Sequence, residues 1–315
     1  MSIVNRITTA GKTAFSFELL PPLKGNGIES VYRTIDTLRE FDPKYINITT
    51  HRSEMVYKEL PGGLFERVAE RHRPGTVAVA AAIQNKYHIP VVPHILCSGF
   101  TPEETEYVLI DLQFLGITDL LLLRGDKARH DKSFIPTGHS HATELQAQVN
   151  RFNEGYFYDG TKLRSAVQPF SYGMACYPEK HEEAPNLDSD IQYAIQKVNA
   201  GAEYLVTQMF FDNRKYYDFV GKLRAAGVKV PVIPGIKPIT LMNQLTVLPK
   251  IFHTDIPEDF AVALRGCTSD EQAVEVGIEW CTAQVKDLIA HGAPSIHFYT
   301  MMATQSVKRV AKAVF

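Results

Sequence analysis

The chain has 315 residues, 45% of them hydrophobic and 22% charged, with a formal net charge of −2; it is long enough to bury a core and carries no global field for nucleic acid or an acidic membrane. Its four cysteines, Cys97, Cys176, Cys267 and Cys281, form no C-x-x-C pair and no zinc-ligand spacing with histidine, so a reduced compartment is expected and a disulfide framework is not. No apolar run follows the basic residues near the N-terminus, so neither a signal peptide nor a membrane span is expected, and cytoplasm is the expected location.

Short β-rich runs alternate with longer segments of helical period. The first strand is expected at 14–19. A helix follows at 28–41, with Ile28, Val31, Ile35 and Leu38 on one face, then a strand at 45–49. Residues 65–87 read as mostly helical, broken by Pro74 and Gly75, and 91–95 reads as the third strand. Thr101, Pro102 and Glu104 have the spacing of an N-cap, N1 and N3, so a capping box opens a helix that stops at Gly116. The fourth strand, 119–123, is a continuous apolar run of the kind that is buried on both faces. A polar loop at 126–140, a helix at 142–152 and an irregular insertion at 153–168 come next.

The remaining strands are expected at 171–175, 203–207, 232–236 and 295–299. Helices are expected at 190–199, 213–226, most of 241–290 with an interruption near Pro257, and 306–314. Strand followed by helix throughout is the pattern of an α/β chain folded as a (β/α)8 TIM barrel, with a doubly wound sheet as the alternative. The alternation has no composition break, and no G-x-G-x-x-G follows the first strand, which favours a barrel formed by one domain over residues 1–315.

In such a barrel the chemistry gathers at the C-terminal strand ends. Those ends carry Glu18, Thr49 to His51, His94, Arg124 to Asp126, Tyr177 to His181, Gln208, Lys237 and His297 to Tyr299. Strand alternation puts Phe15, Phe17 and Leu19 on one face and Ser16 and Glu18 on the other. A carboxylate facing a barrel interior has a raised pKa and suits a general acid; the bland reading is a structural ion pair with Arg124 or Lys237. Arg124 and Asp126 either hold a ligand together or bridge each other. His94 and His181 are acid-base, metal-ligating or hydrogen-bonding candidates, and the shortage of carboxylates beside them disfavours metal. His139 and His141 read as a solvated loop pair, so no metal site is expected. Phe210 and Phe211 read as core or as the wall of a planar ligand. Cys97 has no evident base partner, and Lys237 is the comparable candidate for a Schiff-base lysine.

Taken in order, these motifs resemble one family. Phe17-Glu18-Leu19-Leu20-Pro21-Pro22, Pro93-His94-Ile95, Leu123-Arg124-Gly125-Asp126, Tyr177-Pro178-Glu179-Lys180-His181, Thr207-Gln208-Met209-Phe210-Phe211-Asp212, Pro234-Gly235-Ile236-Lys237-Pro238 and His297-Phe298-Tyr299-Thr300 resemble the motifs of methylenetetrahydrofolate reductases. The resemblance implies a (β/α)8 barrel with non-covalent FAD, NAD(P)H as electron donor and reduction of 5,10-methylenetetrahydrofolate to 5-methyltetrahydrofolate. It implies Glu18 as general acid and Asp126 as the carboxylate near flavin and folate. It further implies Thr49, His51, His94, Arg124, Gly125, Asp126, Tyr177, His181, Ala184, Asp190 and Lys197 as cofactor contacts, and Gln208, Gln244 and Leu248 as substrate contacts. A homo-oligomer, with no nucleic-acid or membrane partner, is the expected assembly.

Several positions depart from the family pattern. Met301-Met302-Ala303 follows Thr300 where L-N-R is common, Leu248 stands where some members have Phe, and Tyr193 and Gln196 replace polar or basic cofactor contacts. Two further readings of the residues stand beside the folate reductase: a cofactor-free lyase or aldolase using Lys237 or Glu18, and a flavin- or pterin-binding subunit of an electron-transfer complex.

Overall fold

The computed structural model describes residues 1–126, 135–166, 168–301 and 303–315. Part of the expected 126–140 loop, residues 127–134, lies outside the described residues, as do Val167 of the expected 153–168 insertion and Met302. In chain order the elements are helix α1 (Ile3–Thr8), strand β1 (Ala14–Leu19), helix α2 (Glu29–Leu38) with a 3-10 turn at Arg39–Phe41, and strands β2 (Tyr45–Ile48), β3 (Glu54–Leu60) and β4 (Leu64–Glu70). Next come α3 (Thr76–Tyr87), β5 (Val91–Leu96), α4 (Pro102–Phe114), β6 (Asp119–Leu123), α5 (Ala142–Asn153), β7 (Ser171–Cys176), α6 (Leu187–Asn199), β8 (Tyr204–Thr207) and α7 (Asn213–Ala225). The chain closes with β9 (Val232–Ile233), β10 (Gly235–Ile236), α8 (Gln244–Phe252), α9 (Glu258–Arg265), α10 (Asp270–Ala290), β11 (Ser295–Tyr299) and α11 (Thr304–Val314). Parallel strands followed by helices make this an α/β chain of the (β/α)8 barrel class.

The chain clusters into two compact units. One comprises Met1–Leu20, Arg33–Asn47 and Ser171–Phe315; the other comprises Pro21–Tyr32 and Ile48–Phe170. In the first unit β1 and β10 flank β11, in the registers Ser16↔His297, Glu18↔Tyr299, Gly235↔His297 and Ile236↔Phe298. β8 pairs with β7 and β9. The strand expected at 232–236 is therefore two short strands. Pro234 has no N–H to donate, and its carbonyl accepts instead from His297 N at 3.0 Å. The break at Pro234 lets one segment serve two neighbours: Val232–Ile233 pairs with β8 and Gly235–Ile236 pairs with β11.

Alternation along β1 sorts its side chains as expected. Phe15 meets the rings of Phe17, Phe41, Phe298 and Phe315 at 5.4–5.8 Å between centroids. Each such ring contributes about 1.5–3 kcal/mol by leaving water. The opposite face is polar: Ser16 Oγ lies 3.0 Å from His297 Nδ1, and the His297 ring stacks on Tyr45 at 6.0 Å.

In the second unit β5 and β6 run parallel with His94↔Leu121 and Leu96↔Leu123. The expected helix over 65–87 is corrected here. Only Thr76–Tyr87 is helical, and Leu64–Glu70 is one arm of an antiparallel hairpin with Glu54–Leu60. Pro61, Gly62 and Gly63 make its turn, with both glycines at positive φ, a conformation that L side chains disfavour. That turn signal outranks the weak helical period after it. The capping box at α4 is present: Glu104 N donates to Thr101 Oγ1 at 3.2 Å, and Thr101 N donates to Glu104 Oε2 at 2.8 Å. Thr101→Ala is expected to destabilise the protein by about 1 kcal/mol, read as a lowered urea midpoint with an unchanged m-value.

Candidate active site

Glu18, the penultimate residue of β1, is half-buried and directly opposite Tyr299. Burial pushes its carboxyl up to about 8, against the opposing pull of the Lys237 ammonium. Its backbone carbonyl accepts from Thr300 Oγ1 at 2.6 Å, which fixes the strand end. Tyr299 donates its hydroxyl to Thr207 O at 2.6 Å, and Thr207 Oγ1 accepts from Gly235 N at 2.9 Å. Gly235 has to be glycine: a Cβ there would sit 2.4 Å from Thr207 O and 2.5 Å from the Tyr299 ring. Below this level His297 is fully buried, and burial holds its imidazole down to about 3, so it is neutral.

The segment after β7 gathers most of the cofactor residues expected in this unit. The rings of Tyr177 and His181 meet edge to face at 4.7 Å. Asp190 Oδ2 accepts from His181 N at 2.5 Å, and Ala184 N donates to His181 O at 3.1 Å. Asp190 and Lys197 lie two turns apart on α6. Lys197 Nζ donates to Ala175 O at 2.9 Å and sits 5.9 Å over the Tyr177 ring. Burial raises the Asp190 carboxyl and lowers the Lys197 ammonium.

Gln208 accepts from Met209 N on its own Oε1 at 2.9 Å. Gln244 Oε1 accepts from Thr240 N at 2.8 Å and Leu241 N at 3.3 Å, at the start of α8. In both, the carbonyl is committed to the backbone, which leaves the NH2 groups as the donors for a ligand. Leu248 is a core residue, 3% exposed, in a cluster with Met209, Phe211, Ile239 and Phe260. Phe210 and Phe211 are core as well: Phe210 stacks on Tyr216 at 5.4 Å, and Phe211 packs on Phe260.

The second unit brings its own candidates to the ends of β5 and β6. Cys97 N donates to Leu123 O at 3.1 Å, and Ser98 N donates to Arg124 O at 2.9 Å. Ser98 Oγ then donates to Asp126 O at 2.9 Å. Gly125 takes φ +81, and a Cβ there would lie 2.9 Å from Ser98 Cβ, so both the turn and the close approach call for glycine. The side chain of Asp126 is exposed beyond this turn. Thr49 Oγ1 lies 3.1 Å from His51 Nε2, and Thr50 Oγ1 donates to the carbonyl of the buried His94. Burial and the nearby Arg73 hold the His51 imidazole below its usual value. His139 is tied to Gln148 at 2.6 Å and set edge-on to Tyr158, so this loop histidine is anchored. Among the described residues no group of three His, Cys, Asp or Glu side chains is placed to hold a metal ion.

The sequence places Gly235 and Tyr299 at strand ends without an assigned contact and does not single out Thr207 or Ser98, yet all four shape the strand ends. The signal was present for Tyr299, which shares the strand-alternation face of His297 and lies level with Glu18 once the register is known.

Each unit thus sets polar and ionisable groups at the C-terminal ends of parallel strands, the layout of a (β/α)8 barrel enzyme. The methylenetetrahydrofolate reductase family model matches residues 3–314, and the chain belongs to that family. It is 28% identical over 292 residues to 5,10-methylenetetrahydrofolate reductase of Escherichia coli K12, covering 92% of this chain and 87% of that one. It is 29% identical over 319 residues to methylenetetrahydrofolate reductase (NADH) 1 of Arabidopsis thaliana, covering 97% of this chain and 49% of the plant protein. Against a probable methylenetetrahydrofolate reductase (NADPH) of Caenorhabditis elegans it is 26% identical, covering 99% of this chain and 43% of the other. The chain spans about half the length of these plant and animal relatives. Among solved structures, a Clostridium thermocellum protein that binds two copies of 5-methyl-5,6,7,8-tetrahydrofolic acid shares the fold with a TM-score of 0.57 at 16% identity, covering 99% of this chain and 98% of that one.

Proposed function

We propose that this chain reduces 5,10-methylenetetrahydrofolate to 5-methyltetrahydrofolate with a nicotinamide donor and FAD. The observation that carries this reading is Glu18: a carboxyl at a strand end whose burial keeps it protonated at neutral pH, in a chain of this family. FAD, when bound, would supply hydride transfer between the nicotinamide and the folate carbon.

The donor set suits that cofactor. Lys197, whose ammonium donates to Ala175 O, is a proposed cation for a pyrophosphate, and Arg124 is a proposed cationic cofactor contact. Asp190 accepts from His181 N on one oxygen, which leaves the other for a ribose hydroxyl. Thr49, His51, His94, Gly125, Tyr177, His181 and Ala184 complete the proposed cofactor contacts.

The folate chemistry needs a proton. Glu18 gives its proton to N10 of the substrate as the bond from the bridging carbon to N10 breaks. The electron pair of that bond stays on N10, and the carbon becomes an iminium at N5 that can accept hydride. Asp126 supplies negative charge that favours the cationic iminium, and Gln208 and Gln244 offer amide donors to the pterin ring. Leu248 acts on any ligand only through packing.

No helix among the described residues is long and apolar enough to cross a membrane. The reading places the chain in the cytoplasm, as a homo-oligomer working on a small molecule. The test is turnover by purified protein loaded with FAD and supplied with NADH or NADPH. Formation of 5-methyltetrahydrofolate is expected. Bound FAD with no folate product under either donor would overturn the reading in favour of a binding subunit.

A further inference from the structure

Three adjacent parallel strands set Lys237, Tyr299 and Glu18 in one row. Glu18 is in register with Tyr299, and Ile236 is in register with Phe298, so Lys237 follows at the level of Tyr299. Alternation gives Gly235 and Lys237 the same face, and the space a Gly235 side chain would take is filled by the Tyr299 ring. The three side chains therefore point to the same side, one level above the Ser16 and His297 pair.

Lys237 is only 4% exposed. Among the described residues its ammonium has no hydrogen-bond acceptor and no ion-pair partner within 4 Å; the groups whose charge bears on it are Glu18 and Cys281. Burial pulls the Lys237 ammonium down, and the Cys281 thiol is pushed up by burial and stays neutral, so the carboxylate that Lys237 faces is Glu18 once its proton has been given up. Burying an ammonium so weakly compensated is costly, and such a group is placed for what it does to its neighbour.

We infer that Lys237 is a positioning residue for Glu18, setting the pH range over which that carboxyl gives up its proton to substrate and stabilising the carboxylate left behind. The inference rests on the proposed role of Glu18 as proton donor. Among the described residues, Tyr299, Tyr45, Cys176 and His297 also surround this row and are uncharged at neutral pH. Burial raises Tyr299, holds Tyr45 up at about 12, raises Cys176 and lowers His297 to about 3. When the Glu18 O–H bond breaks and the proton goes to substrate N10, the new carboxylate faces the Lys237 cation. Without that cation the carboxyl holds its proton to higher pH and releases it less readily.

The test uses full-length protein loaded with FAD, with Lys237→Met, Lys237→Gln and Lys237→Arg. FAD content and circular dichroism establish that each variant is folded. Single-turnover reoxidation of the reduced flavin by methylenetetrahydrofolate is followed against pH. The Met and Gln variants should move the alkaline limb up by about one pH unit or more, as expected for loss of a nearby opposite charge. The Arg variant should restore the limb toward wild type, and reduction of the flavin by nicotinamide should show no matching shift. A limb that stays put in folded Met and Gln variants overturns the inference. If Glu18→Gln also retains full folate turnover, the proton-donor reading has failed; if that variant is inactive while the limb stays put, only the role of Lys237 has failed.

Discussion

Glu18→Gln is expected to bind FAD and accept electrons from nicotinamide as the parent does, yet reoxidise with methylenetetrahydrofolate about 10²–10⁴-fold more slowly. Glutamine fills the same space and keeps a hydrogen-bonding head, but it has no acidic proton to deliver. The acidic proton also sets the pH dependence. Burial raises the carboxyl to about 8, so Glu18 holds its proton below that pH and loses it above. The folate half-reaction should run flat through neutral pH and fall about tenfold per unit above 8. In Glu18→Gln the residual rate should lack that limb. Rapid-mixing absorbance of the flavin, with each half-reaction measured separately, checks both expectations. A normal rate of reoxidation in the variant would remove Glu18 from the chemistry.

The second large effect concerns the scaffold that holds this carboxyl's neighbours. Gly235→Ala should destabilise the protein by about 2–4 kcal/mol, through overpacking and a broken buried hydrogen bond. The added methyl would meet Thr207 O at 2.4 Å and the Tyr299 ring at 2.5 Å. Thr207 O belongs to a strand and cannot yield cheaply. Tyr299 must therefore swing away, and its 2.6 Å bond to Thr207 O goes with it. A double-mutant cycle isolates the contact: in a Tyr299→Ala background the ring is gone, so Gly235→Ala should cost less by at least about 1 kcal/mol. Equal costs in both backgrounds, measured by urea unfolding, would show that the ring is not what the methyl strikes.

Much of this arrangement is legible in the sequence because local rules decide it. Thr101, Pro102 and Glu104 announce the α4 cap, and alternation in Phe15, Ser16, Phe17 and Glu18 separates an aromatic face from a polar one. The clustering of Tyr177, His181, Ala184, Asp190 and Lys197 follows from one loop leading into one helix. What the sequence hides is set by pairing across the chain. Val232 to Ile236 looks like one strand, and only the partners of Pro234's neighbours reveal two. The glycines of the hairpin turn matter because β3 and β4 pair over their full length, which helical periodicity in 65–87 does not register. Gln208 and Gln244 are plain glutamines in sequence; their committed carbonyls and available NH2 groups emerge only from the backbone around them. Leu248 lies in a helix whose buried face is decided by Phe260 and Met209, far away in sequence.

A two-step anaerobic spectrum of the FAD-loaded protein tests most directly the proposal that this chain carries electrons from nicotinamide to folate. NADH or NADPH is added first, and methylenetetrahydrofolate second. The yellow absorbance should bleach with the nicotinamide and return with the folate, with 5-methyltetrahydrofolate as the product. A flavin that bleaches but stays colourless after folate is added, or a protein that takes up no FAD, would contradict it.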